Sequence, residues 1–138
     1  MRYLFAALLA VCASSPALAD ETTGKLSVEI NAVETVDGGC RLSFLLQNGL
    51  PSDLTETVFE TVLFDQAGQV SQMTLLDFGV LPMNRPRVRQ FVLSGTACTE
   101  IGGVLINGAQ SCQGETVSND ACEEALEVTS KTEIEVLG

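Results

Sequence analysis

The chain has 138 residues, with 18 acidic side chains against seven basic ones, no histidine, no tryptophan and one tyrosine. Without imidazole there is no Ser-His or Cys-His nucleophile pair and no histidine metal site. Phenylalanine alone gives little to stack on a sugar or a base, and the acid excess repels nucleic acid and anionic lipid.

Residues 1–19 read as an export signal. Met1 and Arg2 precede the apolar run LFAALLAVCA, and SSPALA then places small residues at Ala17 and Ala19 before Asp20. The run is shorter than the roughly 20 apolar residues of a spanning helix. Cys12 in LLAVC loosely resembles a lipoprotein acylation site, but branched Val11 stands where that site takes a small residue. Cleavage after Ala19 is the expectation, leaving residues 20–138 as one soluble, periplasmic or secreted domain that is not inserted in a membrane. Its net charge follows by removing Arg2: 6 − 18 = −12.

The first predicted strand is KLSVEINA, Lys25 to Ala32, with Leu26, Val28, Ile30 and Ala32 on the inner face. Asp37-Gly38-Gly39 turns the chain into CRLSFLLQN, where Cys40, Leu42, Phe44 and Leu46 point inward, and Asn48-Gly49 with Pro51 ends it. TVFETVLFD is β-branched and aromatic and reads as a third strand. Gln66-Ala67-Gly68 leads to the fourth, VSQMTLLDFGVL, and Pro82-Met83-Asn84 precedes the fifth, RVRQFVLSG. GVLI is the sixth, stopping at Asn107-Gly108. The segment SNDACEEALE is the one predicted helix, capped by Ser118, Asn119 or Asp120 with acids in its first turn. KTEIEVLG is the seventh strand, with Ile134 and Val136 inward. Seven short strands and one short helix near the C-terminus predict an all-β fold, an antiparallel immunoglobulin-like β-sandwich.

The succession FLLQN, VFETVLFDQAG, a further strand and LPMNRPRVRQF resembles FxLYD-type domains. LFDQAG stands where that family has its hydrophobic-Phe/Tyr-Asp-x-x-Gly hairpin, with Phe64 in place of tyrosine. The resemblance covers about Cys40 to Leu93. It implies an immunoglobulin-like sandwich of a family without an agreed catalytic role, and it does not extend to the cysteine-containing tail.

Four cysteines follow the signal, and an even count in an exported domain predicts two disulfides. In an immunoglobulin-like sandwich the second and fifth strands are antiparallel neighbours, which brings Cys40 near Cys98 and leaves Cys112 to pair with Cys122. Zinc held by four thiolates is the rival, and no C-x-x-C knuckle favours it. Glu123, Glu124 and Glu127 read as a solvated helix face, and Asp65-Gln66-Ala67-Gly68 as a turn without the alternating oxygens of an EF-hand loop. No cofactor, metal site or catalytic residue is expected.

NRPRVRQF holds Arg85, Arg87 and Arg89, half the positive charge of residues 20–138. At period two they share one face of a strand, where they either pair with nearby carboxylates or form a patch for an acidic partner. Phe91 falls in the same register, which predicts a bulge or a sheet edge at this strand. The functional expectation is a non-enzymatic exported module that binds another envelope protein, with a carrier of a small apolar or anionic ligand as the alternative.

Overall fold

A computed structural model describes residues 23–138. The expected signal at 1–19, with Cys12, lies outside the described residues, as do residues 20–22. Strands β1 (Leu26–Val36), β2 (Gly39–Asn48), β3 (Leu54–Phe64), β4 (Val70–Asp77) and β5 (Arg87–Ser94) come first. A single 3-10 turn, Cys98–Glu100, follows, then β6 (Gly103–Gly114), α1 (Asn119–Ala125), β7 (Leu126–Ser130) and β8 (Glu135–Leu137). They form two four-stranded sheets, β5-β2-β1-β7 and β4-β3-β6-β8, packed face to face.

Alternation is the cause of the packing. Leu26, Val28 and Ile30 of β1 and Cys40, Leu42, Phe44 and Leu46 of β2 are fully buried, while their sequence neighbours face outward. Phe59 and Leu63 of β3 and Val104 and Ile106 of β6 meet them from the second sheet. Phe78 stands in edge-to-face contact with Phe44 and Phe91, both at 5.3 Å between centroids. Such contacts add about 0.5–1.5 kcal/mol each beyond the area they bury.

Several expectations need correction. Ala32 is exposed, because a bulge between Ile30 and Ala32 resets the alternation and turns Val33 toward the core. β4 ends at Asp77; the run that reads as its continuation turns into the interior, burying Phe78 and Leu81. β6 does not stop at Asn107-Gly108 but continues to Gly114 along β3, across irregularities at Val58/Phe59 and Glu60/Thr61. The helix is shorter than expected. Ser118 caps it, and Leu126 and Glu127 belong to β7, an eighth strand that pairs with β1. The sheets are also not wholly antiparallel, since β1–β7 and β6–β8 are parallel.

Disulfides join Cys40 to Cys98 and Cys112 to Cys122, with Cα atoms 4.9 and 6.4 Å apart. The first ties β2 to the turn after β5, and the second ties β6 to α1. Beyond the three-residue pairing with β8, the side of β6 is covered by α1 rather than by a strand. There Asn119 Oδ1 accepts from the Cys112 amide at 2.6 Å and Glu123 Oε1 accepts from the Ala109 amide at 2.7 Å. Helix side chains thus satisfy ladder groups that a missing strand partner leaves open.

Candidate functional site

β5 lies at the edge of the first sheet, and its register with β2 runs without a break from Gly39–Ser94 to Leu46–Arg87. Phe91 shares a face with Arg87 and Arg89 because the strand is at an edge; no bulge intervenes. That face looks inward but overhangs the open side of the sandwich, where the connection from β4 to β5 passes.

The connection, residues 78–86, is held at several points. Phe78 and Leu81 are buried in the core. Leu81 exchanges two backbone hydrogen bonds with Leu54, at 2.9 and 3.0 Å, and the Phe78 amide donates to Thr57 O at 2.8 Å. Fully buried Asn48 donates through Nδ2 to Ser52 O and Leu81 O, both at 2.9 Å, and accepts from the Leu50 amide at 3.0 Å. Its carbonyl accepts from the Asn84 amide at 2.7 Å, and Asp53 Oδ1 accepts from the Met83 amide at 2.7 Å. Asn84 takes a left-handed conformation, φ 58°, which asparagine tolerates better than most residues.

The three arginines divide by environment. Arg89 donates from Nε to Phe78 O at 2.7 Å, and its terminal nitrogens donate to Val80 O at 2.9 Å and Val88 O at 3.1 Å. A planar fork of donors suits this task, satisfying carbonyls that the connection presents without strand partners. Arg87 is half-buried and donates to the adjacent Pro86 O, while Arg85 is exposed in the turn. Among the described residues the ion pairs within 4.0 Å are Arg41–Glu34 and Lys131–Glu29, so no arginine of the trio has a carboxylate partner at that distance. Exposed Val80 and Met83 lie in the same connection, and exposed Val88 is on the opposite face of β5. The result is a cationic edge with apolar neighbours on a connection fixed from below.

Sequence reading missed Asn48 and Arg89 as positioning residues. The signal for Asn48 was present: a polar residue ending an otherwise apolar strand face, just before Gly49 and Pro51. For Arg89 there was no local signal, because its partners belong to a segment that reads as strand.

Elsewhere, a cleft of about 390 Å³ opens at the opposite end of the sandwich, lined in part by Val33, Gln66, Cys98, Ile101 and Ile134. Among the described residues no three or more Cys, Asp or Glu gather as for a metal ion, and no helix is long and apolar enough to cross a membrane. No family model, curated protein or solved structure matches this chain.

Proposed function

We propose that this protein is a non-enzymatic exported interaction module of the cell envelope, and that the β5 edge binds an acidic polypeptide partner. The observation that carries the reading is the state of Arg85 and Arg87. In a chain with 18 acids and six cations after the signal, these two have no carboxylate within 4.0 Å among the described residues, and the connection leading into them exposes Val80 and Met83. Arginine forks bind carboxylates bidentately, and interface cores favour arginine with apolar neighbours. The two disulfides support an oxidising, exported compartment.

An immunoglobulin-like topology is part of the same reading. The neighbours β5-β2-β1 in one sheet and β4-β3-β6 in the other support it, while the parallel β7 and β8 depart from it. Kinship with FxLYD-type domains, over the segment that forms β2 to β5, belongs to this proposal too.

The test replaces Arg85 and Arg87 together by serine and leaves Arg89 in place, so that binding is separated from the fold. Pull-down from envelope extract with the unaltered protein should recover an acidic partner, and the double variant should lose it while melting at the same temperature. Retention of the partner by the double variant would refute this edge as the site. The 390 Å³ cleft supports a second reading, a carrier of a small apolar molecule, to be tested by thermal shift against a metabolite library.

A further inference from the structure

The cleft at the end of the sandwich is assembled from four separate stretches of chain. The bulge in β1 turns Val33 into it, the β3–β4 turn contributes Gln66, the 3-10 turn contributes Cys98, and the β7–β8 loop contributes Glu133 and Ile134. Its walls are tied together. The Cys40–Cys98 disulfide anchors the 3-10 turn to β2, and Gln66 Nε2 reaches across to the end of that turn, donating to Thr99 O at 3.1 Å and Ile101 O at 3.2 Å. Thr132 Oγ1 accepts from the Ile134 amide at 3.1 Å and lies 2.9 Å from Ser130 Oγ, which fixes the loop. The cleft thus exists before any guest arrives, and its volume of about 390 Å³ falls in the range of small-molecule sites.

The lining says what kind of guest fits. Buried Ile101 and Ile134, with Val33, make an apolar floor, and exposed Gln66 and Glu133 stand at the rim. The rim side chains are left with acceptors. Gln66 has committed its Nε2 donors to the two carbonyls, so its remaining capacity is Oε1. Glu133 only accepts, and among the described residues no cation lies within 4.0 Å of it. No lysine or arginine lines this cleft or the two adjoining depressions that share Gln66.

Other guests fit this lining less well. A wholly apolar molecule would take the rim acceptors from water without giving them a donor, and an anion would meet Glu133. A bare metal ion lacks its ligands, since among the described residues no three or more Cys, Asp or Glu gather. A sugar finds no aromatic ring in the lining.

We propose that this cleft binds a small organic cation, an amine whose apolar body lies on Val33, Ile101 and Ile134 and whose ammonium group donates at the rim to Glu133 and the Gln66 side-chain oxygen. The proposal rests on the carrier reading of the cleft and gives the carried molecule a charge. An ammonium has three donors and no acceptor, which complements a rim of acceptors.

The test titrates the protein with hexylamine, hexanol and hexanoate, which share an unbranched apolar tail and differ in the charge of the head, and follows methyl and amide NMR shifts. Hexylamine should shift the Val33, Ile101 and Ile134 methyls and bind about fivefold more tightly than hexanol, the upper end of what an exposed ion pair supplies. Hexanoate should bind most weakly. Added salt should narrow the gap between amine and alcohol. E133Q should close it at an unchanged melting temperature, because Glu133 is exposed. V33S should weaken amine and alcohol alike, and V88S with V92S, on the outer face of the first sheet, should change neither. Circular dichroism of each variant confirms the fold. Equal binding of amine and alcohol, or a gap that survives E133Q, would leave a carrier that does not read charge and overturn the proposal alone. If none of the three probes shifts the cleft methyls, the carrier reading falls with it.

Discussion

On the outer face of the first sheet, Gln90 donates to Ser43, Arg41 pairs with Glu34 and Glu29 with Lys131, so several polar groups there have partners within the sheet or beside it. On the second sheet the corresponding surface carries Met73, Val62, Leu105 and Leu137 in a row, with glutamates at its borders and no cation. The inner faces of the two sheets are chemically alike, and the outer faces differ: the first mixes paired polar and charged groups with exposed Val88 and Val92, and the second carries its apolar row without a cation. Packing dictates the first similarity, since either inner face must be apolar to close a core. Nothing in folding dictates the second contrast, and a row of exposed apolar side chains is kept at a cost in solubility. The outer faces are therefore where function is to be sought.

The comparison can be broken at the disulfides, because each sheet has its own. Replacing Cys40 and Cys98 by serine, which opens a loop of 58 residues, should cost about 4 kcal/mol of stability in the chain-entropy account. Replacing Cys112 and Cys122, ten residues apart, should cost about 3 kcal/mol. Denaturant unfolding of the two double variants measures the difference. An equal loss would mean that the second bridge, by holding α1 against the side of β6, matters as much as the longer loop.

Asn48→Ala comes next. It leaves Leu81 O, Ser52 O and the Leu50 amide without their side-chain partner in a buried site, at about 1–3 kcal/mol. Arg89→Ala should fall in the lower part of that range, because its carbonyl partners lie nearer to water. Both losses appear as a lower midpoint in denaturant. If Arg89→Ala instead leaves stability unchanged, its guanidinium is free for a partner and the cationic edge is larger than drawn here.

The apolar row offers a contrast within itself. Val62→Ser places a hydroxyl in a site that is 5% exposed and should cost about 1–3 kcal/mol. Met73→Ser, in the same row at 58% exposure, should change stability by less than about 0.5 kcal/mol. Smallest of all is the effect of Arg85→Ser with Arg87→Ser, each below about 0.5 kcal/mol, read as an unchanged melting temperature.

How far the sequence could be read follows from the range of each interaction. β1 to β5 were legible because period two is local and Asp37-Gly38-Gly39 and Gln66-Ala67-Gly68 mark their turns. The adjacency of β2 and β5 made Cys40 and Cys98 legible as neighbours. β7 was hidden, because LEVTS alternates over only five residues, follows acids that suit a helix, and pairs with β1 far away in sequence. Asn107-Gly108 reads as a hairpin turn, yet β3 is long enough to carry β6 past it, and the irregularity is absorbed within the ladder. At the arginines, alternation gave the shared face but not its surroundings. Whether that face met carboxylates or carbonyls depended on where the chain passed after Asp77, and LLDFGVL reads as one continuous strand. The row on the second sheet was invisible for the same reason, since it exists only once four separate strands are set in register.

The parallel pairing of β1 with β7 bears on the order of events during synthesis. Leu26 lies beside Leu126, a separation of 126 − 26 = 100 residues, so the outer edge of β1 stays unpaired until β7 has been made. A chain delivered from its N-terminus can form the β1–β2 hairpin at once, but it cannot finish that sheet before its later strands arrive, and closing so long a loop is slow. The first sheet therefore reaches its full width only when the chain is nearly complete, and its earliest strand waits beside one of its latest.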